Sequence, residues 1–233
     1  MNLSLVIPLY NEEKNIPKLY KRLKKILKYK NIQLIFIDDN SVDDSSYILK
    51  KISKRDKKVL HILRKKNRDL TQSCIDGFLA SKYQNILVMD CDLQHNPGEI
   101  NLMVSKFLRY KADFVIGTRD FKKKHHGLSY VRSLASVTLT FVINIFLGKK
   151  LNDPMSGFFI FKKKNFYKVK KKLFGRGYKI LFDMIYLSDD KIKIIEHNIT
   201  LNKRNSGVSK MSSKTLIQII IQILRLFFIR FFK

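Results

Sequence analysis

The sequence predicts an α/β fold: a mostly parallel sheet with helices on both faces. Two observations carry this prediction. In the first half, short apolar runs of strand length alternate with segments of helical period, the pattern produced by strand–helix–strand repetition. Polar, acid-rich clusters follow the ends of those runs, where open parallel sheets bind ligands. The apolar runs are "LSLVIP", "IQLIFID", "VLHIL", "ILVMD" and "FVIGT", and helical periodicity covers Ile16 to Leu27, Ser45 to Ile52, Thr71 to Ser81 and Glu99 to Leu108. The clusters are "PLYNEE", "DDNSVDD", "DCDLQ" and "GTRD", so residues far apart in the chain are expected to converge on one rim.

After Arg119 the pattern changes. "KKKHHG" reads as a basic loop, "SYVRSLASVTLTFVINIFLG" as a long apolar helix, and "NDPMSGFFIF" as a turn into a strand. "GYKILFDMIYL" has helical period, "IKIIEHNITLNKR" is strand-like, and "NSGVSK" is a loop of small residues. With no repeat and no Pro- or Ser-rich linker, one domain is expected over 1–211, with a terminal helix over 212–233. On a helical wheel of "SKTLIQIIIQILRLFFIRFFK", Lys214, Gln218, Gln222, Arg225 and Lys233 share a narrow sector with Arg230 at its edge. The rest is Ile, Leu and Phe, which suits a helix lying in the plane of a membrane interface. Were it to span, Arg225 would sit near mid-bilayer at a cost of roughly 2.5–3.5 kcal/mol. A core or dimer-forming helix is the remaining alternative. The stretch 129–148, centred on Tyr130 to Leu147, reads either as a second interfacial helix or as a core helix.

The 233 residues carry a formal net charge of +28. A surplus of this size invites nucleic acid, an anionic membrane surface or phosphorylated substrates. Lysine is dispersed over helical segments such as "KLYKRLKKILKYK", which also suits plain solvated faces. A nucleic-acid binder would interleave basic residues with exposed aromatic platforms, and no such motif occurs, so that class is disfavoured. Cys74 and Cys91 lack a CxxC spacing, which fits a reduced, cytoplasmic setting. The chain opens on "LSLVIPLY" with no basic n-region and apolar h-region, so a secretory signal is not expected.

"ILVMDCDLQHNP" carries the chemistry. Asp90, Asp92 and Gln94 alternate after an apolar run, which on an extended chain sets all three on one side. Carboxylates so close repel unless a cation lies between them, and oxygen donors suit a hard divalent ion that keeps water and substrate phosphate as further ligands. Beside this, "PLYNEE" reads either as a helix start capped by Asn11, with Glu12 and Glu13 favouring the dipole, or as a nucleotide-binding loop.

"VIPLYNEEKNI", "IFIDDNSVDDS", "VMDCDLQHNP", "VIGTRD", "DPMSGFFIF" and "RNSGVSK" occur in an order and spacing that resembles inverting family-2 glycosyltransferases, most of all those making polyprenyl- or dolichyl-phosphate mannose. The resemblance covers residues 3 to 211. It implies a GT-A type, Rossmann-like fold and a metal-dependent transfer of a hexose, mannose from GDP-mannose first, to a polyprenyl or dolichyl phosphate at the cytoplasmic face of a membrane. A UDP-sugar-dependent polyprenyl-phosphate glucosyltransferase is the nearest alternative, and a protein- or polysaccharide-directed transferase another. By resemblance, Pro8, Tyr10, Glu12, Ile37 and Asp39 hold the nucleotide, joined by Asp90, Cys91 and Asp92. Asp92 and Gln94, with Asp90 beside them, match ligands for Mg2+ or Mn2+. Arg119, Arg132, Arg204 and Lys210 match positions that bind donor diphosphate or acceptor phosphate, and Asp92, Arg119 and Arg132 form the expected catalytic set. The sequence departs from the pattern at Asp69-Leu70, where Gly-Leu is common, at Cys91, where alanine is usual, and at Asp183, which replaces Glu. Asp153 matches a characteristic acid whose role is either loop-stabilising or catalytic.

Overall fold

Six parallel strands and one antiparallel strand form the sheet in the computed structural model of the chain, which describes residues 1–27, 31–65, 67–119, 144, 151–177, 179–189 and 191–202. The strands are β1 (Leu3–Leu9), β2 (Ile32–Asp38), β3 (Val59–Leu63), β4 (Asn85–Val88), β5 (Phe114–Arg119), β6 (Phe159–Lys162) and β7 (Ile194–Ile199). Their spatial order is β3-β2-β1-β4-β6-β5-β7, and β6 is the strand that runs against its neighbours. The runs read as buried strands are so: β1 is buried at every position, as a parallel strand covered on both faces must be.

The helices are α1 (Ile16–Ile26), α2 (Ser45–Arg55), α3 (Leu70–Ala80), α4 (Glu99–Arg109), α5 (Lys163–Val169) and α6 (Ile180–Tyr186). Periodicity predicts five of them, α1 to α4 and α6, to within a few residues. α5, in the lysine-rich stretch after β6, has too little apolar contrast in its sequence to be predicted. Ile16, Leu19 and Leu23 of α1 join Leu49 of α2 and Ile100, Met103 and Phe107 of α4 in one core layer. Phe78 of α3, Phe166 of α5 and Phe182 of α6 form the layer on the other face. Gly77 lets α3 lie against β1, since a Cβ there would meet Val6 Cγ1 at 2.4 Å. The predicted helices on both faces are therefore present.

The strand order fixes where a ligand can enter. Chain order reverses at β1, which has β2 on one side and β4 on the other, a switch point at whose carboxyl end open α/β sheets bind their ligands. Tyr10 to Glu13, Asp39 to Asp44 and Asp90 to His95 all lie at that end of the sheet. Among the described residues no helix is long and apolar enough to cross a membrane. The terminal helix over 212–233 and the 129–148 helix lie outside the described residues.

Candidate active site

Two loops clasp each other at the ends of β1 and β2. The Asn11 amide donates to Ser41 Oγ at 2.9 Å, and its side-chain oxygen accepts from the Val42 amide at 3.0 Å. The Glu12 amide donates to Ser45 Oγ at 2.9 Å, and the Glu13 amide to Asp43 Oδ2 at 3.1 Å. Asn11 adopts φ 54°, a left-handed turn that Asn tolerates, and α1 starts only at Ile16. "PLYNEE" is thus not a helix start capped by Asn11, whose side-chain oxygen is spent on the neighbouring loop. Glu12 is buried and accepts from Asn15 Nδ2 at 2.6 Å. The Arg68 guanidinium lies over the Tyr10 ring, 4.5 Å from its centroid.

Asp39 lies deeper. One of its oxygens accepts from Arg64 and the other from the Asp69 amide at 2.8 Å. Burial pushes its carboxyl above the ordinary range, against the pull of the Arg64 charge. The pair with Arg64 and the bond from the Asp69 amide fix the orientation of the carboxylate. Arg64, from the end of β3, also binds Asp76 Oδ2 at 2.9 Å. Ile37 and Pro8 are paired across β1 and β2 and are buried, so their side chains support the floor of the rim rather than project from it.

The expected row of Asp90, Asp92 and Gln94 along one side of a strand does not form. β4 ends at Val88, and Leu93 adopts φ 63°. The cause is local: Asp92 Oδ1 accepts from the Gln94 amide at 3.1 Å, a side-chain turn that competes with extended backbone. The acids nevertheless stay on the rim. Asp92 is buried, whereas the Asp90 side chain is 40% exposed and reaches within 3.9 Å of His95 Nδ1. Cys91 is buried in the core below, consistent with a packing role.

His95 stacks on Phe158 with ring centroids 5.0 Å apart. Burial lowers its pKa to about 4, with the Arg119 charge in the same direction and Asp92 and Asp153 opposing, so it is neutral near pH 7. A histidine after a metal-type loop carries no spacing signal of its own, so the sequence does not single out His95. Gly157 closes over the same acid, and a Cβ there would stand 2.8 Å from Asp90 Oδ2.

Arg119, at the end of β5, faces Asp90 from across β6 and is paired with Asp153, which is fully buried. Burial alone would lower the guanidinium's pKa, but the hydrogen bonds and charge of Asp153 outweigh it and hold it above its usual value. Asp153 thus holds the Arg119 guanidinium in place through two hydrogen bonds. Lys179, just ahead of α6, is half-buried in the same field: burial and Arg119 lower its pKa, while Asp153 and Asp90 raise it. Arg132, Arg204 and Lys210 lie outside the described residues.

The donor set fits a hard cation in part. Asp92 and Gln94 supply oxygen, with Asp90 adjacent, while among the described residues no group of three His, Cys, Asp or Glu is gathered closely enough to enclose an ion. Such a site leaves positions for phosphate oxygens and water, which is how Mg2+ is ordinarily held.

The chain is similar to known proteins over nearly its whole length. The chain is 31% identical over 97% of its length to dolichol-phosphate mannosyltransferase of Pyrococcus furiosus, spanning 64% of that protein. It is 29% identical over 98% of its length to dolichol-phosphate mannosyltransferase of Saccharomyces cerevisiae, spanning 88% of it. Among solved structures, glucosyl-3-phosphoglycerate synthase of Mycobacterium tuberculosis, crystallised with Mn2+, UDP-glucose and phosphoglyceric acid, superposes with TM-score 0.73 at 18% identity, covering 98% of this chain and 79% of that one. The same enzyme has been crystallised with Mg2+ and UDP. Residues 4–170 match glycosyl transferase family 2, and with the switch-point crevice and its acidic loop in place, the chain belongs to that family of glycosyltransferases.

Proposed function

We propose that this protein transfers a hexose, mannose from GDP-mannose first, to a polyprenyl or dolichyl phosphate with inversion at the sugar. The observation that supports it most is the opposition of Asp90 and Asp92 at the end of β4 to the Asp153-oriented Arg119 at the end of β5. It is joined by nearly full-length similarity to two dolichol-phosphate mannosyltransferases. The loops of Tyr10 to Glu12 and of Asp39 would hold the nucleotide, an aromatic ring and carboxylates being suited to a base and to ribose hydroxyls.

The acceptor sets the chemistry. A phosphate monoester is ionised at neutral pH, so one of its oxygens can attack the anomeric carbon directly while the bond to the nucleoside diphosphate breaks and the diphosphate leaves with the electron pair. No strong general base is needed. The obstacle is electrostatic, because two anionic phosphates approach one carbon, with repulsion of several kcal/mol in a partly dehydrated site. A Mg2+ or Mn2+ ion at Asp92 and Gln94 would supply charge stabilisation for the departing diphosphate. Arg119 supplies a fixed cation on the opposite side, and Arg132, Arg204 and Lys210 are proposed to add to it. The apolar sequence of 212–233, with its single basic and amide sector, would meet the bilayer surface where such a lipid resides.

Full-length protein incubated with polyprenyl phosphate, Mg2+ or Mn2+, and a panel of radiolabelled nucleotide sugars tests this. Label from GDP-mannose should enter the organic phase. Transfer from a UDP-sugar alone would replace the donor assignment, and no lipid-soluble product from any donor would overturn the reading.

A further inference from the structure

The start of α3 and the 175–177 loop are tied together by one side chain. Asp69 Oδ1 accepts from the Gln72 amide at 2.9 Å, capping α3, and Oδ2 accepts from the Gly177 amide at 2.8 Å. The Asp69 backbone is equally committed: its amide donates to Asp39 Oδ2 at 2.8 Å, and its carbonyl accepts from Arg64 Nη1 at 3.2 Å. Two more bonds complete the clasp. The Thr71 amide donates to the Gly177 carbonyl at 3.0 Å, and Gln72 Nε2 donates to the Gly175 carbonyl. Gly175 and Gly177 have φ 70° and 101°, backbone that favours glycine, so the loop's course is built for this contact. Asp69 itself is extended, at φ −159°, so the glycine common at this position is not required by the backbone.

The clasp ends two residues before Lys179. On the far side Lys179 is held again, its carbonyl accepting from the Asp183 amide at 3.2 Å as α6 begins. Its ammonium makes no hydrogen bond or ion pair with a described residue, although it lies in the field of Arg119, Asp153 and Asp90. Arg119 commits its Nε and Nη2 to Asp153. A half-buried ammonium with three donors and no acceptor among the described residues is suited to an anion. We propose that Lys179 binds a phosphate of the transfer reaction, and that Asp69 is the positioning residue that sets it there from the nucleotide side of the crevice. The inference rests on the transferase reading for the identity of the phosphate and on the clasp for its geometry.

Equilibrium binding to the full-length protein separates the two, since it needs no turnover. Inorganic pyrophosphate with Mg2+ probes the donor side, and farnesyl phosphate probes the acceptor side. Lys179→Met should weaken at least one of them about tenfold or more, with Lys179→Arg retaining most of the affinity. Loss for farnesyl phosphate assigns Lys179 to the acceptor, and loss for pyrophosphate assigns it to the donor. Unchanged affinity for both overturns the proposal. Asp69→Asn should weaken the same probe and add little to Lys179→Met, because both act through one ammonium. If its effect instead adds in full, Asp69 does not position Lys179. Should Asp69→Asn fail to fold, Gln72→Leu cuts the clasp at Gly175 while leaving the helix cap, and the same comparison applies. An absence of sugar transfer by the unaltered protein would count against the proposed function alone.

Discussion

Arg119 and Asp153 meet fork to fork: Nε donates to Oδ2 at 2.6 Å and Nη2 to Oδ1 at 2.9 Å. The carboxylate is fully buried and the arginine side chain is 24% exposed, so the acid is structural and the base faces the crevice. Removing the buried partner strands the arginine. Asp153→Ala is expected to cost about 3–5 kcal/mol in urea unfolding. Asp153→Asn, which keeps an acceptor of the same shape, should lose less stability but still lower kcat, because Arg119 is no longer held bidentately. Equal stability of the Ala variant and the parent would contradict the pairing.

Gly157 guards Asp90. Alanine there places a methyl group 2.8 Å from Asp90 Oδ2, and the half-exposed carboxylate can swing away more easily than the backbone can move. Gly157→Ala should therefore melt close to the parent temperature yet lose about a hundredfold in kcat, the scale of a misplacement near 1 Å. A variant of normal activity would mean that Asp90's position is immaterial to transfer.

Asp92 is expected to govern metal dependence. In the unaltered protein, chelation should abolish transfer and Mg2+ or Mn2+ should restore it. Asp92→Asn should stay folded by circular dichroism but need far more metal or remain inactive, since an amide oxygen is a poorer ligand than a carboxylate. A normal metal titration for this variant would remove Asp92 from the proposed site.

A pH effect on stability is predicted at His61, remote from the acidic loop. His61 Nε2 lies 3.9 Å from Asp38 Oδ2, and the ring is also within reach of Lys50 on α2. Burial lowers its pKa most, Lys50 adds to this, and Asp38 opposes. The folded value lies below the ordinary 6.5, so the unfolded chain binds the proton more readily. The contribution is therefore complete above about pH 6.5 and is lost as the pH falls from there towards the folded value, at no more than about 1.4 kcal/mol per pH unit. Urea midpoints compared at about pH 7.5 and about pH 5.5 should differ less in His61→Gln than in the parent. An identical difference in both would exclude His61 as the source.

Much of the fold was legible because its signal is local. The β1 run "LSLVIPL" is buried throughout and reads as such from composition alone. α1, α2 and α4 announce themselves by apolar period against lysine-rich faces. α5 and the antiparallel course of β6 did not, since neither leaves a periodic trace distinct from its neighbours. Of the candidate site, the residues proposed at strand ends are legible in the sequence: Tyr10, Glu12, Asp39, Asp90, Asp92 and Arg119. Arg64, His95, Gly157 and Lys179 are not, because each acquires its role from a partner distant in sequence.

The sequence by itself determined the alternation of strand and helix and the chemical types offered at each strand end, because burial and periodicity act over a few residues. Only tertiary structure decided that Asp153 would fix Arg119, that Asp92 would turn the chain instead of extending it, and that Asp69 would tie α3 to the loop before Lys179. Those outcomes depend on which charges and donors meet after the sheet is assembled, and in a buried crevice an unmet charge or donor costs too much for such choices to be left to local preference.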